Sequence, residues 1–189
     1  MMDSVTGVIL AGGKSTRMGK NKSFLSYRGK NLIDVPIETL TGIFSDVVLS
    51  VRDPQDYSGY SLPKVVDQYS EIGPMGGITS VLKSRRQRIF CVACDMPFLN
   101  QALIKYLCDF LDFDAVIPVW EGRAEVMHSV YSDRLVPAFE NAISSHLYKI
   151  TDALKASHVR YVNADEIRRL DPSGDTFRNV NTPMDYEKL

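Results

Sequence analysis

Val5-Thr6-Gly7-Val8-Ile9-Leu10-Ala11-Gly12-Gly13-Lys14-Ser15-Thr16-Arg17-Met18-Gly19-Lys20-Asn21-Lys22 is the stretch on which the reading of the chain turns. Its first part, Val5 to Leu10, has the length and apolar character of a buried strand, and two adjacent glycines follow at once. Without Cβ atoms in the way, Gly12 and Gly13 let backbone N–H groups approach an anion closely. Lys14, Arg17, Lys20 and Lys22 then concentrate positive charge. An arginine grips phosphate oxygens bidentately and a lysine supplies a mobile point charge, so a polyphosphate is the natural guest. A P-loop is excluded: Gly7 to Gly12 is followed by Gly13 rather than Lys, and Gly13-Lys14-Ser15 lacks its leading glycine because position 8 is Val. No G-x-G-x-x-G occurs either.

Outward from this loop, apolar runs alternate with helix-period stretches. Asp46 to Val51, Lys64 to Val66, Ile89 to Ala93 and Ala115 to Val119 read as further strands. Such alternation predicts an α/β protein with a parallel sheet. Asn31 is positioned to cap a helix over Leu32 to Phe44, Gly76 to Arg85 reads as a second helix, and Asn100 caps a third over Gln101 to Leu111. Leu103, Leu107 and Leu111 would share one face of the third. Beyond Val119 the pattern changes to a turn at Glu121-Gly122, a strand over Val126 to Tyr131 and a helix over Leu135 to Ala142. Thr182-Pro183-Met184-Asp185 has the chemistry of a helix start.

Three further signals sit where such a sheet presents its ligands, at the carboxyl ends of strands. Asp95 in Cys94-Asp95-Met96-Pro97 ends the strand Ile89 to Ala93, and a carboxylate beside a phosphate loop suits magnesium, which takes one or two carboxylates plus phosphates and waters. The same aspartate also reads as a cap of the turn that follows. Asp67 opens a loop that runs through Gly73-Pro74-Met75-Gly76-Gly77 into a helix, and either a base or ribose contact or a turn or cap carboxylate fits it. Asn179 and Asn181 alternate, so in an extended chain they face one side, each able to donate and accept; turn and cap roles fit them equally.

Composition limits the rest. The 189 residues, 44% of them hydrophobic, have the length and apolar fraction of one globular domain. Lys and Arg number 22 against 23 Asp and Glu, so no whole-molecule field draws in nucleic acid or an anionic membrane. No basic leader or membrane-length apolar run opens the chain, and a cytoplasmic location is expected. Cys91, Cys94 and Cys108 are an odd number of thiols, as suits a reducing compartment. Cys91 and Cys94 form a C-x-x-C, but no second pair completes a zinc site and both read as strand residues. His128, His146 and His158 lie too far apart for a ligand pattern and read as structural or surface residues.

Taken together and in order, the glycine loop, Gly73-Pro74-Met75-Gly76-Gly77-Ile78, Cys94-Asp95-Met96-Pro97-Phe98 and Asn179-Val180-Asn181-Thr182-Pro183 resemble the molybdenum-cofactor guanylyltransferase family across almost the whole chain. Paired Gly12-Gly13, rather than the Ala-Gly usual in molybdopterin cytidylyltransferases, and the terminal Asn-x-Asn-Thr-Pro narrow the match. The resemblance implies a Rossmann-like three-layer α/β/α sandwich with a mostly parallel sheet, the nucleotidyltransferase (glycosyltransferase-A-like) architecture. One domain would span the chain, its nucleotide-binding half over residues about 1–100 and its acceptor-binding half over about 101–189. The implied activity is transfer of GMP from GTP to the phosphate of molybdopterin. Implied roles are nucleotide contacts from Leu10, Ala11, Gly12 and Gly13, triphosphate contacts from Arg17 and Lys22, a nucleoside contact from Asp67, Mg2+ on Asp95, and pterin-side contacts from Asn179 and Asn181. Arg17, Lys22 and Asp95 would carry the catalysis, with transient contacts to cofactor-biosynthesis and acceptor proteins. Arg52 departs from the asparagine frequent there in the family. Competing readings are a cytidylyltransferase acting on molybdopterin or a sugar phosphate, and a catalytically silent nucleotide-binding regulator.

Overall fold

The computed structural model describes residues 1–13, 21–69 and 71–180. The first strand, β1 (Val5–Leu10), is followed by a small hairpin of β2 (Ser26–Tyr27) and β3 (Lys30–Asn31), then α1 (Asp34–Thr41), β4 (Val47–Val51), β5 (Lys64–Val66), α2 (Pro74–Arg85) and β6 (Arg88–Ala93). The second half comprises α3 (Gln101–Cys108), β7 (Ala115–Trp120), β8 (Arg123–Ala124), β9 (His128–Tyr131), α4 (Val136–Ser144), α5 (Ile150–Ala153), β10 (Val159–Val162) and α6 (Ala164–Arg168). The large sheet runs β10-β7-β9-β6-β1-β4-β5, with β8 pairing on β7. Pairing is parallel from β6 through β5 and between β7 and β10. Strand β9 runs antiparallel to both of its neighbours and so interrupts the parallel order.

Both faces of the sheet are covered, which is why its strands are apolar at nearly every position. On one face Val5, Ile9 and Phe90 join Leu40 and Phe44 near α1 and Leu103, Ile104 and Leu107 of α3. On the other, Val8, Ile89 and Cys91 meet Ile78, Val81 and Leu82 of α2 and Phe139 of α4. The result is the expected three-layer α/β/α sandwich with a mostly parallel sheet. Cys91 and Cys94, three residues apart at the end of one strand, belong to opposite faces, so this pair cannot share a metal or a disulfide.

Several boundaries differ from the sequence expectations. Asn31 does not cap α1: it pairs in the β2–β3 hairpin, and its side chain donates to the Tyr60 hydroxyl at 3.0 Å. The helix begins at Asp34 with Ile33 in the cap position and no side-chain cap, and it ends at Thr41. Asn100 does cap α3, accepting from Leu103 N–H at 3.0 Å. That helix stops at Cys108, however, and leaves Leu111 outside the apolar face and 59% exposed. Strand β9 starts at His128 rather than Val126, and α4 reaches Ser144. Residues beyond α4, for which periodicity gave no element, supply α5, β10 and α6. The helix start at Thr182 to Asp185 lies outside the described residues.

Candidate active site

At the carboxyl edge of the sheet, the ends of β6, β1, β4 and β5 open in that order on a cavity of about 370 Å³. Neighbouring strands stand about 4.8 Å apart, so the four ends span about 14 Å, the scale of an extended nucleoside triphosphate. The cavity walls include Leu10, Ala11, Gly12 and Gly13 from β1 and its loop, Ser50 and Arg52 from β4, Asp67 after β5 and Asp95 after β6. Lys22 lines the cavity as well. Of the residues singled out in the sequence, the sheet edge therefore gathers these in one place although they lie up to 85 positions apart, from Leu10 to Asp95. Arg17 and Asn181 lie outside the described residues.

The glycine loop leaves β1 with Ala11 N–H donating to the Ser50 carbonyl at 2.8 Å, which aims the chain over the end of β4. A Cβ added at Gly13 would meet nothing within 4 Å, so what glycine preserves there is open approach to the backbone rather than packing. Gly76 and Gly77 in the first turns of α2 serve the opposite purpose. A Cβ at Gly76 would stand 2.7 Å from the Tyr69 carbonyl and 2.8 Å from Asp67 Oδ1, and one at Gly77 2.7 Å from Ser50 Oγ. These two glycines let α2 press against the loop that carries Asp67.

Asp95 follows β6 with its side chain only 15% exposed, and Lys22 Nζ lies 3.9 Å from its Oδ2. Burial pushes its carboxyl above the usual carboxylate range, against the lowering effect of Lys22 and of its own backbone N–H. A buried carboxylate with so little compensation has room and reason to take a cation. Among the described residues no group of three or more His, Cys, Asp or Glu could hold a metal ion, and Asp95 is the carboxylate at the end of β6. Such a carboxylate fits a hard divalent cation completed by phosphate oxygens and water. Asp67 is different: it accepts the Tyr69 N–H at 2.9 Å and is also bonded by Ser80, while burial moves its carboxyl upward.

The carboxy-terminal segment reaches the same place. Val180 N–H donates to the Asp95 carbonyl at 2.9 Å, and the Val180 side chain is buried with Tyr27 and Leu32 beneath the hairpin. This puts Asn179 beside the end of β6. Its Oδ1 is buried and accepts no hydrogen bond among the described residues. Leaving such an acceptor unpaired costs about 1–3 kcal/mol, and Asn179 is not among the residues that line the cavity.

Three residues at the site left no mark in the sequence: Ser23 and Met127 in the cavity wall, and Tyr57 behind it. Ser23 adjoins the cationic run, but Tyr57 meets Ala11 across 46 positions, a separation no local pattern reports. Of the histidines, His128 is fully buried between Phe90 and Phe177, and burial lowers its pKa to about 3; His146 and His158 are exposed.

A sheet edge that offers backbone amides, a lysine and a buried carboxylate to one elongated cavity is the arrangement of an enzyme that handles nucleoside triphosphates. Residues 7–160 match the family described as the MobA-like NTP transferase domain, and the chain belongs to that family of nucleotidyltransferases. It is 34% identical to the molybdenum cofactor guanylyltransferase of Desulfosudis oleivorans over 191 residues, covering 99% of this chain and 95% of that protein. Among solved structures, it is similar to the molybdopterin-guanine dinucleotide biosynthesis protein A of Archaeoglobus fulgidus, with a TM-score of 0.86, 26% identity and coverage of 97% of this chain and 96% of that one. The 4-diphosphocytidyl-2C-methyl-D-erythritolsynthase of Anaerococcus prevotii, 11% identical with a TM-score of 0.66, covers 97% of this chain and 95% of its own and shares the fold. No helix among the described residues is long and apolar enough to cross a membrane.

Proposed function

We propose that this protein transfers GMP from GTP to the terminal phosphate of molybdopterin and releases diphosphate, in the cytoplasm. The observation that carries the proposal is the buried Asp95 carboxylate at the end of β6, facing the cavity with Lys22 Nζ 3.9 Å from its Oδ2. The names carried by the relatives support the choice of base and acceptor. The nucleotide would lie across the strand ends, its phosphates toward Lys22 and Asp95 and its nucleoside toward Ser50, Arg52 and Asp67.

In the reaction, an oxygen of the molybdopterin phosphate attacks the α-phosphorus of GTP. A new P–O bond forms there, and the bond from the α-phosphorus to the α–β bridging oxygen breaks, so that diphosphate departs with the electron pair. A phosphate monoester with a second pKa of about 6 is already largely ionised at neutral pH, so no strong general base is needed. Lys22, with Arg17, would hold charge on the departing phosphates, and the Gly12–Gly13 amides would orient the triphosphate for in-line attack. Asp95 would hold Mg2+, which when bound neutralises phosphate charge. Asn179 and Asn181 would orient the pterin by amide hydrogen bonds.

The test is diphosphate release from each of the four nucleoside triphosphates, with Mg2+, with and without molybdopterin. Release from GTP alone and only with molybdopterin is expected. Preference for CTP would make the protein a cytidylyltransferase, and no release from any triphosphate would sink the catalytic reading.

A further inference from the structure

Tyr57 lies in the short 3-10 turn Pro54–Tyr57 after β4, is 1% exposed, and does not itself line the cavity. Its hydroxyl nevertheless holds both stems of the glycine loop. It donates to the Ala11 carbonyl at 2.9 Å, where the loop leaves β1. At the other stem it accepts from Asn21 Nδ2 at 3.1 Å and lies 2.9 Å from Ser23 Oγ. A phenol has one proton, and with that proton on Ala11 the Ser23 hydroxyl becomes the donor to Tyr57. Ser23 Oγ in turn lies 3.4 Å from Cys94 Sγ, next to Asp95, and Lys22 stands between Asn21 and Ser23.

The geometry points to Tyr57 as a positioning residue for triphosphate binding: its single hydroxyl ties Ala11 to Asn21 and Ser23 and so places Lys22 opposite Asp95. The inference rests on the nucleotidyltransferase reading of this site. Its physical basis is that a loop binds an anion well only when its amides and cations are already aimed, because ordering them on binding is subtracted from affinity. One buried oxygen shared by three partners fixes the distance between the two stems. Burial also raises the Tyr57 pKa, so the phenol keeps its proton and remains able to donate to Ala11.

Tyr60 provides an internal control. Its ring stands 6.3 Å from that of Tyr57 in the same aromatic group, and its hydroxyl also makes half-buried contacts, accepting from Asn31 and donating to Asp34 Oδ1 at 2.9 Å. Those partners belong to the hairpin and α1, not to the loop. A hydroxyl that merely supports the fold should therefore behave alike at both positions.

The experiment compares wild type, Tyr57→Phe, Ser23→Ala and Tyr60→Phe by melting temperature, by direct equilibrium binding of each of the four nucleoside triphosphates with Mg2+, and by KM and kcat for the preferred one. Tyr57→Phe should raise both Kd and KM for the triphosphate about tenfold, the worth of one well-placed hydrogen bond, with a smaller change in kcat. Ser23→Ala should move the same constants in the same direction by less, and it serves if Tyr57→Phe does not fold. Tyr60→Phe should lower the melting temperature while leaving Kd and KM within twofold of wild type. Unchanged Kd and KM in both loop variants, or equal increases in Tyr57→Phe and Tyr60→Phe, would overturn the inference. If wild type prefers CTP, the guanylyl reading fails, yet the same comparison run on CTP still decides the role of Tyr57. A wild type that binds no triphosphate overturns both.

Discussion

Asp67 and Asp95 look alike in the sequence, each a carboxylate placed directly after an apolar strand, and both end up in the wall of one cavity. The structure gives them different work. Asp67 accepts the Tyr69 N–H two residues on, as a turn carboxylate does, and Gly76 presses against it from α2. Asp95 is nearly enclosed and has the Lys22 ammonium 3.9 Å away. Burial raises the pKa of both, but for Asp67 two local hydrogen bonds oppose it, whereas for Asp95 the main opposition is Lys22, at the end of the glycine loop. A carboxylate bonded within its own loop is chiefly a framework element that also faces ligand. One left with its charge poorly compensated is kept ready for a partner.

The sharpest way to break this contrast is Asp95→Asn. Turnover should fall by about 10²–10³, the scale of losing one preorganised electrostatic element, while the Kd for GTP measured directly changes little. Because the raised pKa means that the ionised carboxylate costs the fold stability at neutral pH, the melting temperature should not drop; a clear fall would assign Asp95 to structure. Next in size is a pair of glycine variants. Gly76→Ala, with its Cβ driven into the Tyr69 carbonyl and the Asp67 carboxylate, should cost about 1–3 kcal/mol in chemical denaturation. Gly13→Ala should leave stability unchanged and weaken only GTP binding, since nothing stands within 4 Å of its Cβ.

A smaller effect is expected from Asp67→Asn, which keeps the shape but weakens acceptance of the Tyr69 N–H. KM for GTP should rise about tenfold with kcat nearly kept, while stability changes little, because the weakened hydrogen bond is offset by relief of a buried ionised carboxylate. A loss in kcat as large as that of Asp95→Asn would erase the distinction between the two carboxylates. The smallest change concerns pH. Free Asp95 protonates above the ordinary carboxylate range, so kcat/KM should decline on its acid side at a correspondingly raised pH. Lys22 lowers that pKa, so Lys22→Met should shift the acid limb upward; no shift would mean that another group sets it.

What could be read from the residues alone was whatever local order determines. Strand β1, the glycine loop and the end of β6 at Asp95 were legible because an apolar run, a pair of glycines and a carboxylate at the run's end are neighbours in the chain. The parallel α/β class followed from the alternation of such runs with helical ones. Pairing and cross-chain contact were not legible, because they depend on which surfaces meet once the core closes. Strand β9 inserts antiparallel between β6 and β7, although nothing in His128 to Tyr131 states its direction. Asn31 makes a fine helix cap by composition, yet the hairpin and the Tyr60 hydroxyl claim it. Asn179 comes to the end of β6 through one backbone hydrogen bond from Val180 to Asp95, and Tyr57 joins Ala11 to Ser23 from a turn on the neighbouring strand. The sequence by itself determined the elements and the chemical groups available at the sheet edge; the tertiary structure alone decided which of them stand together, because burial and hydrogen bonding are settled by the closure of the whole core.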